Sequence, residues 1–123
     1  MQTIDHIGLA VSDYKRSRDF YDRCLAPLGM RLLVEVDDWA GYGSGDRAGF
    51  WFGVDELPQR SMHIAFTAKS RADVDAFYRA GLEAGARDNG APGLRPEYHA
   101  HYYGAFLLDP DGHNIEAVCH QPE

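Results

Sequence analysis

Two histidines, His6 and His63, stand 57 residues apart, each followed by isoleucine and each opening a run of alternating apolar residues. Glu116 lies between Ile115 and Ala117 in the last apolar run. Two imidazoles and a carboxylate carried on three strands are the donor set of a divalent transition metal that keeps open positions for water and substrate. Neutral imidazole suits Fe, Mn, Ni, Co or Zn, and ligand type alone does not choose among them. Taken singly, each histidine reads as an ordinary strand residue bonded inward and Glu116 as a surface acid. Their joint placement at repeat-related positions favours the ligand reading.

A second group of reactive side chains lies in Pro96-Glu-Tyr-His-Ala-His-Tyr-Tyr103. His99, His101, Tyr102 and Tyr103 at the entry to the last hairpin are candidates for substrate contact or proton transfer. A packed aromatic loop is the other reading. His113 follows a tight turn and is expected to be solvated, and no specific role is expected for His120. Trp39, Tyr42 and Trp51 would wall an apolar pocket if they faced inward, and read equally as core or dimer contacts.

The elements that must position these residues repeat. The offset of 57 also relates Phe20 to Phe77, Tyr21 to Tyr78 and Leu25 to Leu82, so one motif is used twice. The first copy reads as a strand over residues 3–11 with His6, Gly8 and Ala10 on one face, then a helix capped by Ser12 or Asp13. That helix carries the apolar stripe Tyr14, Ser17, Phe20, Tyr21, Cys24, Leu25 and Leu28 and ends at Gly29. Short strands follow at about 30–36, 39–43 and 48–54. The second copy repeats the order with a strand at 62–68 and a helix capped at Ser70 and closed by Gly85. A weak strand near Arg87, a Gly- and Pro-rich loop from about Asn89 to Glu97, and a hairpin of 103–108 and 114–119 turning at Asp109-Pro-Asp-Gly112 complete it.

The expected fold class is α+β: two βαβββ modules whose curved mixed sheets enclose a cavity into which His6, His63 and Glu116 point. A single domain over 1–123 is expected, with module one at about 1–54, a linker at about 55–60 and module two at about 61–123.

Formal charge is −7, and no basic cluster exceeds Lys15-Arg16, which argues against nucleic acid as a partner. No window has the apolar length to span a bilayer and no signal peptide is read, so a cytoplasmic location is expected. Cys24 and Cys119 are too few for a disulfide framework and read as buried thiols.

The doubled βαβββ pattern, the two His-Ile openings and the ending Asp109-Pro-Asp-Gly-His-Asn-Ile-Glu116 resemble the vicinal oxygen chelate superfamily, which includes glyoxalase I, extradiol dioxygenases, fosfomycin-resistance transferases and bleomycin-binding proteins. The resemblance implies a metal held by His6, His63 and Glu116, with the place of a fourth ligand at or next to Trp51. The triad without a fourth ligand is similar to that of the dioxygenases and fosfomycin transferases. Those enzymes carry a tyrosine ten residues before the carboxylate, where Phe106 stands here. The implied function is a divalent-metal-dependent enzyme, a lyase or isomerase, transferase or dioxygenase, acting on a small oxygen-bearing substrate through a metal-stabilised oxyanion. A metal-free small-molecule-binding protein of the bleomycin-resistance type is the alternative. A homodimer is implied as well, with sites within one chain or shared between two.

Overall fold

The computed structural model describes residues 4–55 and 61–123. Its elements run β1 (Ile7–Val11), α1 (Tyr14–Leu25), a 3-10 turn (Ala26–Leu28), β2 (Arg31–Val36), β3 (Trp39–Gly43) and β4 (Phe50–Val54). The second copy follows as β5 (His63–Thr67), α2 (Arg71–Glu83), β6 (Arg87–Leu94), β7 (Tyr103–Leu108) and β8 (Asn114–Cys119). This is the expected βαβββ order, twice. Apart from Asp55, the segment read as a linker lies outside the described residues.

Each copy makes a four-stranded mixed sheet, ordered β1-β4-β3-β2 and β5-β8-β7-β6. The first strand of each copy pairs in parallel with its last, and the other pairs are antiparallel. Both helices begin on a side-chain cap, Asp13 accepting from the Arg16 N–H and Ser70 from the Asp73 N–H. The predicted stripe of α1 buries Ser17, Phe20, Tyr21, Cys24 and Leu25. Tyr21 packs its ring 5.0 Å from Phe50 and 5.1 Å from Phe52, and Phe50 meets Phe66 of the second copy edge-on at 5.1 Å. One apolar core therefore runs through both copies.

The copies are also joined by polar contacts around the β7–β8 turn. The buried Tyr21 hydroxyl donates to Asp109 Oδ2 at 2.5 Å, and Asp111 Oδ1 accepts from the Ser12 N–H at 3.0 Å. His113, expected in solvent, is 2 % exposed. Its Nδ1 accepts from the Met62 N–H at 2.9 Å, so its proton sits on Nε2, which faces the Ala10 carbonyl at 3.1 Å. A turn residue becomes a core residue because both ring nitrogens find backbone groups.

The Gly- and Pro-rich segment expected as a loop is largely strand. β6 pairs antiparallel with β7 through Leu94, with register breaks between Asp88 and Gly90 and between Gly90 and Gly93. Bulges absorb residues that a regular strand would reject.

Candidate functional site

His63 opens β5 and Glu116 sits in the neighbouring β8, whose register sets Ala65 opposite Glu116. The imidazole Nε2 and carboxylate Oε1 are 2.8 Å apart. A carboxylate can only accept, so Nε2 carries the proton of this bond. The other oxygen, Oε2, accepts from the Tyr102 hydroxyl. Glu116 is 1 % exposed, and a carboxylate in that position is costly unless both oxygens are bonded, as they are here. Burial, then the neighbouring carboxylate, pushes the Tyr102 phenol well above its ordinary range, so it stays a donor. Phe106 lies opposite Glu116 on β7, its ring 6.2 Å from the His63 ring.

His6 precedes β1 and has different company. Asp5 Oδ2 accepts from its Nδ1 at 2.8 Å, and Arg47 pairs with the other oxygen of Asp5. The bond from His6, then the Arg47 charge, holds the Asp5 carboxyl below its usual range. The Asp5 contact places the His6 proton on Nδ1 and leaves Nε2 as a lone-pair donor, the arrangement that orients metal-binding histidines. Neither Asp5 nor Arg47 was expected from the sequence, though a carboxylate directly before a candidate ligand was a visible signal.

A hollow of about 450 Å³ beside His6 is lined by Gly8, Trp39, Ala48 and Trp51. Two glycines let the indoles lie against the sheet. A Cβ on Gly53 would stand 2.1 Å from Trp39 Cδ2, and one on Gly41 would stand 2.8 Å from Trp51 Cε2. Trp51 Nε1 donates to the Ala48 carbonyl at 3.2 Å. In register, Gly8 faces Trp51 across β1–β4 as Ala65 faces Glu116 across β5–β8. Trp51 therefore occupies the place of the carboxylate in the first copy.

His6 is not brought to His63 and Glu116. Among the described residues no three His, Cys, Asp or Glu side chains form a group able to hold a metal ion. The physical reason is the way the copies join: α1 packs against α2, and the β7–β8 turn reaches β1 and α1. Strand alternation tells which face a residue takes, but not whether two such faces meet.

The aromatic loop divides by contact. Tyr102 alone among its candidates reaches Glu116. Tyr103 donates to Asp75 Oδ1 at 2.7 Å, which first, with burial second, pushes its phenol up to about 12; Arg71 lies 5.2 Å over its ring. His99 Nδ1 accepts from the His101 N–H at 3.0 Å, and its Nε2 meets His120 Nδ1 at 2.6 Å with the rings stacked. His120, for which no role was expected, thus holds His99. No described helix is long and apolar enough to cross a membrane.

The sequence model of the Glyoxalase/Bleomycin resistance protein/Dioxygenase superfamily matches residues 3–117. Among solved structures, the chain is similar to a glyoxalase/bleomycin resistance protein from Albidiferax ferrireducens T118, with 29% identity over 96% of this chain and 99% of that one and a TM-score of 0.84. It shares its fold with a glyoxalase-related enzyme from Fulvimarina pelagi, at 18% identity over 97% and 88% of the two chains and a TM-score of 0.74. A family enzyme from Burkholderia phytofirmans PsJN matches at 16% identity over 98% and 100%, also with a TM-score of 0.74. No functionally curated protein matches the chain.

Proposed function

Because the chain belongs to the glyoxalase/bleomycin resistance protein/dioxygenase superfamily, we propose that it is a divalent-metal-dependent enzyme acting on a small oxygen-bearing substrate through oxyanion chemistry. The observation that carries this reading is the contact between the imidazole of His63 and the buried carboxylate of Glu116. Both are good donors to Fe, Mn, Ni, Co or Zn, and both have a free face once the shared proton leaves. A bound metal would supply polarisation of a substrate oxygen and stabilisation of the charge that develops there.

Two ligands do not make a site, and His6 is the third of matching type. In one chain His6 lies apart from the pair, so the site is completed between two copies of a homodimer, with His6 of one copy meeting His63 and Glu116 of the other. Val34, Val36 and Trp39 of the first sheet, Leu94 of the second and Tyr98 of the loop after it are exposed apolar side chains that such an association can cover. Tyr102 holds the Glu116 rotamer and can hand a proton to substrate. His99, steadied by His120, and His101 stand behind it as proton carriers, while Tyr103 fixes the base of the loop to α2. The setting proposed is cytoplasmic.

The hollow walled by Trp39 and Trp51 favours a second reading, a metal-free protein that binds a small molecule on these indoles. One measurement separates the two. Protein incubated with cobalt and desalted should retain it stoichiometrically, whereas H63A and E116Q should retain background amounts. Equal background retention by all three overturns the metal reading, and small-molecule binding indifferent to chelator would then support the second.

A further inference from the structure

A cation beside the sheet that carries His63 and Glu116 makes no ion pair among the described residues. Arg95 follows β6 directly, and its backbone N–H donates to the Tyr102 carbonyl at 2.7 Å, closing the base of the aromatic loop. Its side chain folds back over β6. Nη2 donates to the Ala91 carbonyl at 2.8 Å, and Cζ stands 5.4 Å from the centre of the Phe106 ring. The two bulges make the space. Gly90, at φ 151, takes a backbone that disfavours a side chain, and a Cβ there would lie 2.9 Å from Phe106 Cδ1 and 3.3 Å from Arg95 Nη2. A Cβ on Gly93 would lie 3.1 Å from Nη1. Bulges of this kind re-aim a side chain beside a site.

Arg18, Arg23 and Arg47 each pair with a carboxylate; Arg95, like Arg16, Arg31, Arg71, Arg79 and Arg87, makes no ion pair among the described residues, and is set apart from them by its place over the Phe106 ring. The guanidinium lies over the Phe106 ring, and the Ala91 bond occupies only one of its five donors. Phe106 also carries His63 against its ring and lies opposite Glu116 in register. One phenyl ring thus separates an unpaired guanidinium from the two candidate metal ligands.

We infer that Arg95 anchors an oxyanion head group, carboxylate or phosphate, of a small acid whose other oxygens reach toward His63 and Glu116. The inference rests on the site proposed above. The guanidinium fork matches the geometry of such anions and gives charge-assisted bonds, and an exposed lysine would not replace it. A substrate so held is oriented before chemistry, and a neutral analogue of the same shape is discriminated against.

The test is a nuclear magnetic resonance titration of the metal-free protein, kept in chelator, with inorganic phosphate and separately with acetate. The backbone amides of Gly90, Gly93 and Tyr102 should shift saturably with at least one anion. R95Q should weaken that binding by about tenfold or more, the loss of a charge-assisted bond. R95K, which keeps charge without the fork, should fall between and serves if R95Q does not fold. Saturation by phosphate alone assigns a phosphoryl acid, and saturation by acetate alone a carboxylic acid. No saturable shift with either anion, or variants that respond like wild type, overturns the inference. Cobalt retention, measured apart, should be the same in R95Q and wild type, and loss of cobalt in wild type would sink the metal reading without touching the anion result.

Discussion

His63 and Glu116 meet at 2.8 Å across two parallel strands, yet the imidazole is 55% exposed and the carboxylate side chain only 2%. The carboxylate is enclosed by its surroundings, and the imidazole is the solvent-facing half of the pair. A ligand arriving from solvent therefore meets His63 first and finds behind it a carboxylate already held in place by Tyr102.

That hold predicts the effect of Y102F. Removing the hydroxyl leaves Oε2 of a buried carboxylate unpaired, which should cost about 1–3 kcal/mol in urea unfolding. Cobalt affinity should fall by roughly ten- to a hundredfold, the usual effect of losing a group that orients a ligand. Wild-type cobalt affinity in Y102F would refute the positioning role of Tyr102.

Completion of the site between copies predicts complementation. H6A and H63A should each retain only background cobalt, and protein refolded from a mixture of the two should recover part of the wild-type retention, since some dimers would carry one intact set. Failure to recover, or full retention by H6A alone, would place the third ligand elsewhere.

Alkaline titration probes the core. Burial first, and Asp109 next, pushes Tyr21 well above its ordinary 10.0 and Cys24 well above its ordinary 9.0. The folded protein keeps both protons at pH values where the unfolded chain releases them, so stability is complete below about pH 9 and falls as pH rises beyond it. Each group contributes a slope of about 1.4 kcal/mol per pH unit once its unfolded form ionises. Urea midpoints between pH 8 and 11, at about half-unit steps, should decline in wild type and decline less steeply above pH 10 in Y21F. An identical slope in Y21F would mean that Tyr21 is not protected.

The two tryptophans report on the hollow beside His6. G53A forces Trp39 off the sheet and G41A crowds Trp51, so each should alter the intrinsic emission, with Trp39, already partly exposed, moving more freely. The stability cost of G53A should be under about 1 kcal/mol because the indole can swing outward. Unchanged emission in both variants would argue that the indoles do not rest on these glycines.

Much of the fold was legible because its signals are local. Ser70 caps its helix, Asp109-Pro-Asp-Gly112 turns its hairpin, and the stripe on α1 is buried as its spacing required. The exceptions are set by distant chain. β6 survives its glycines and proline because β7 supplies hydrogen bonds on one side, and His113 is drawn inward by Ala10. At the site, residue types named His63 and Glu116, but Tyr102 differed from its loop neighbours only by where its hydroxyl points. Asp5 and Arg95 act through contacts that no periodicity encodes.

The β7–β8 turn carries a kinetic consequence. It reaches Tyr21 across 88 residues, Ser12 across 99 and Ala10 across 103. Contacts that close such long loops form late and slow the search for the native state. On the ribosome, the first half of the chain should therefore wait with the Tyr21 hydroxyl lacking its carboxylate acceptor until the closing hairpin emerges, although it already contains every strand of its own sheet. Synthesis in two halves should yield fragments that fold well only together.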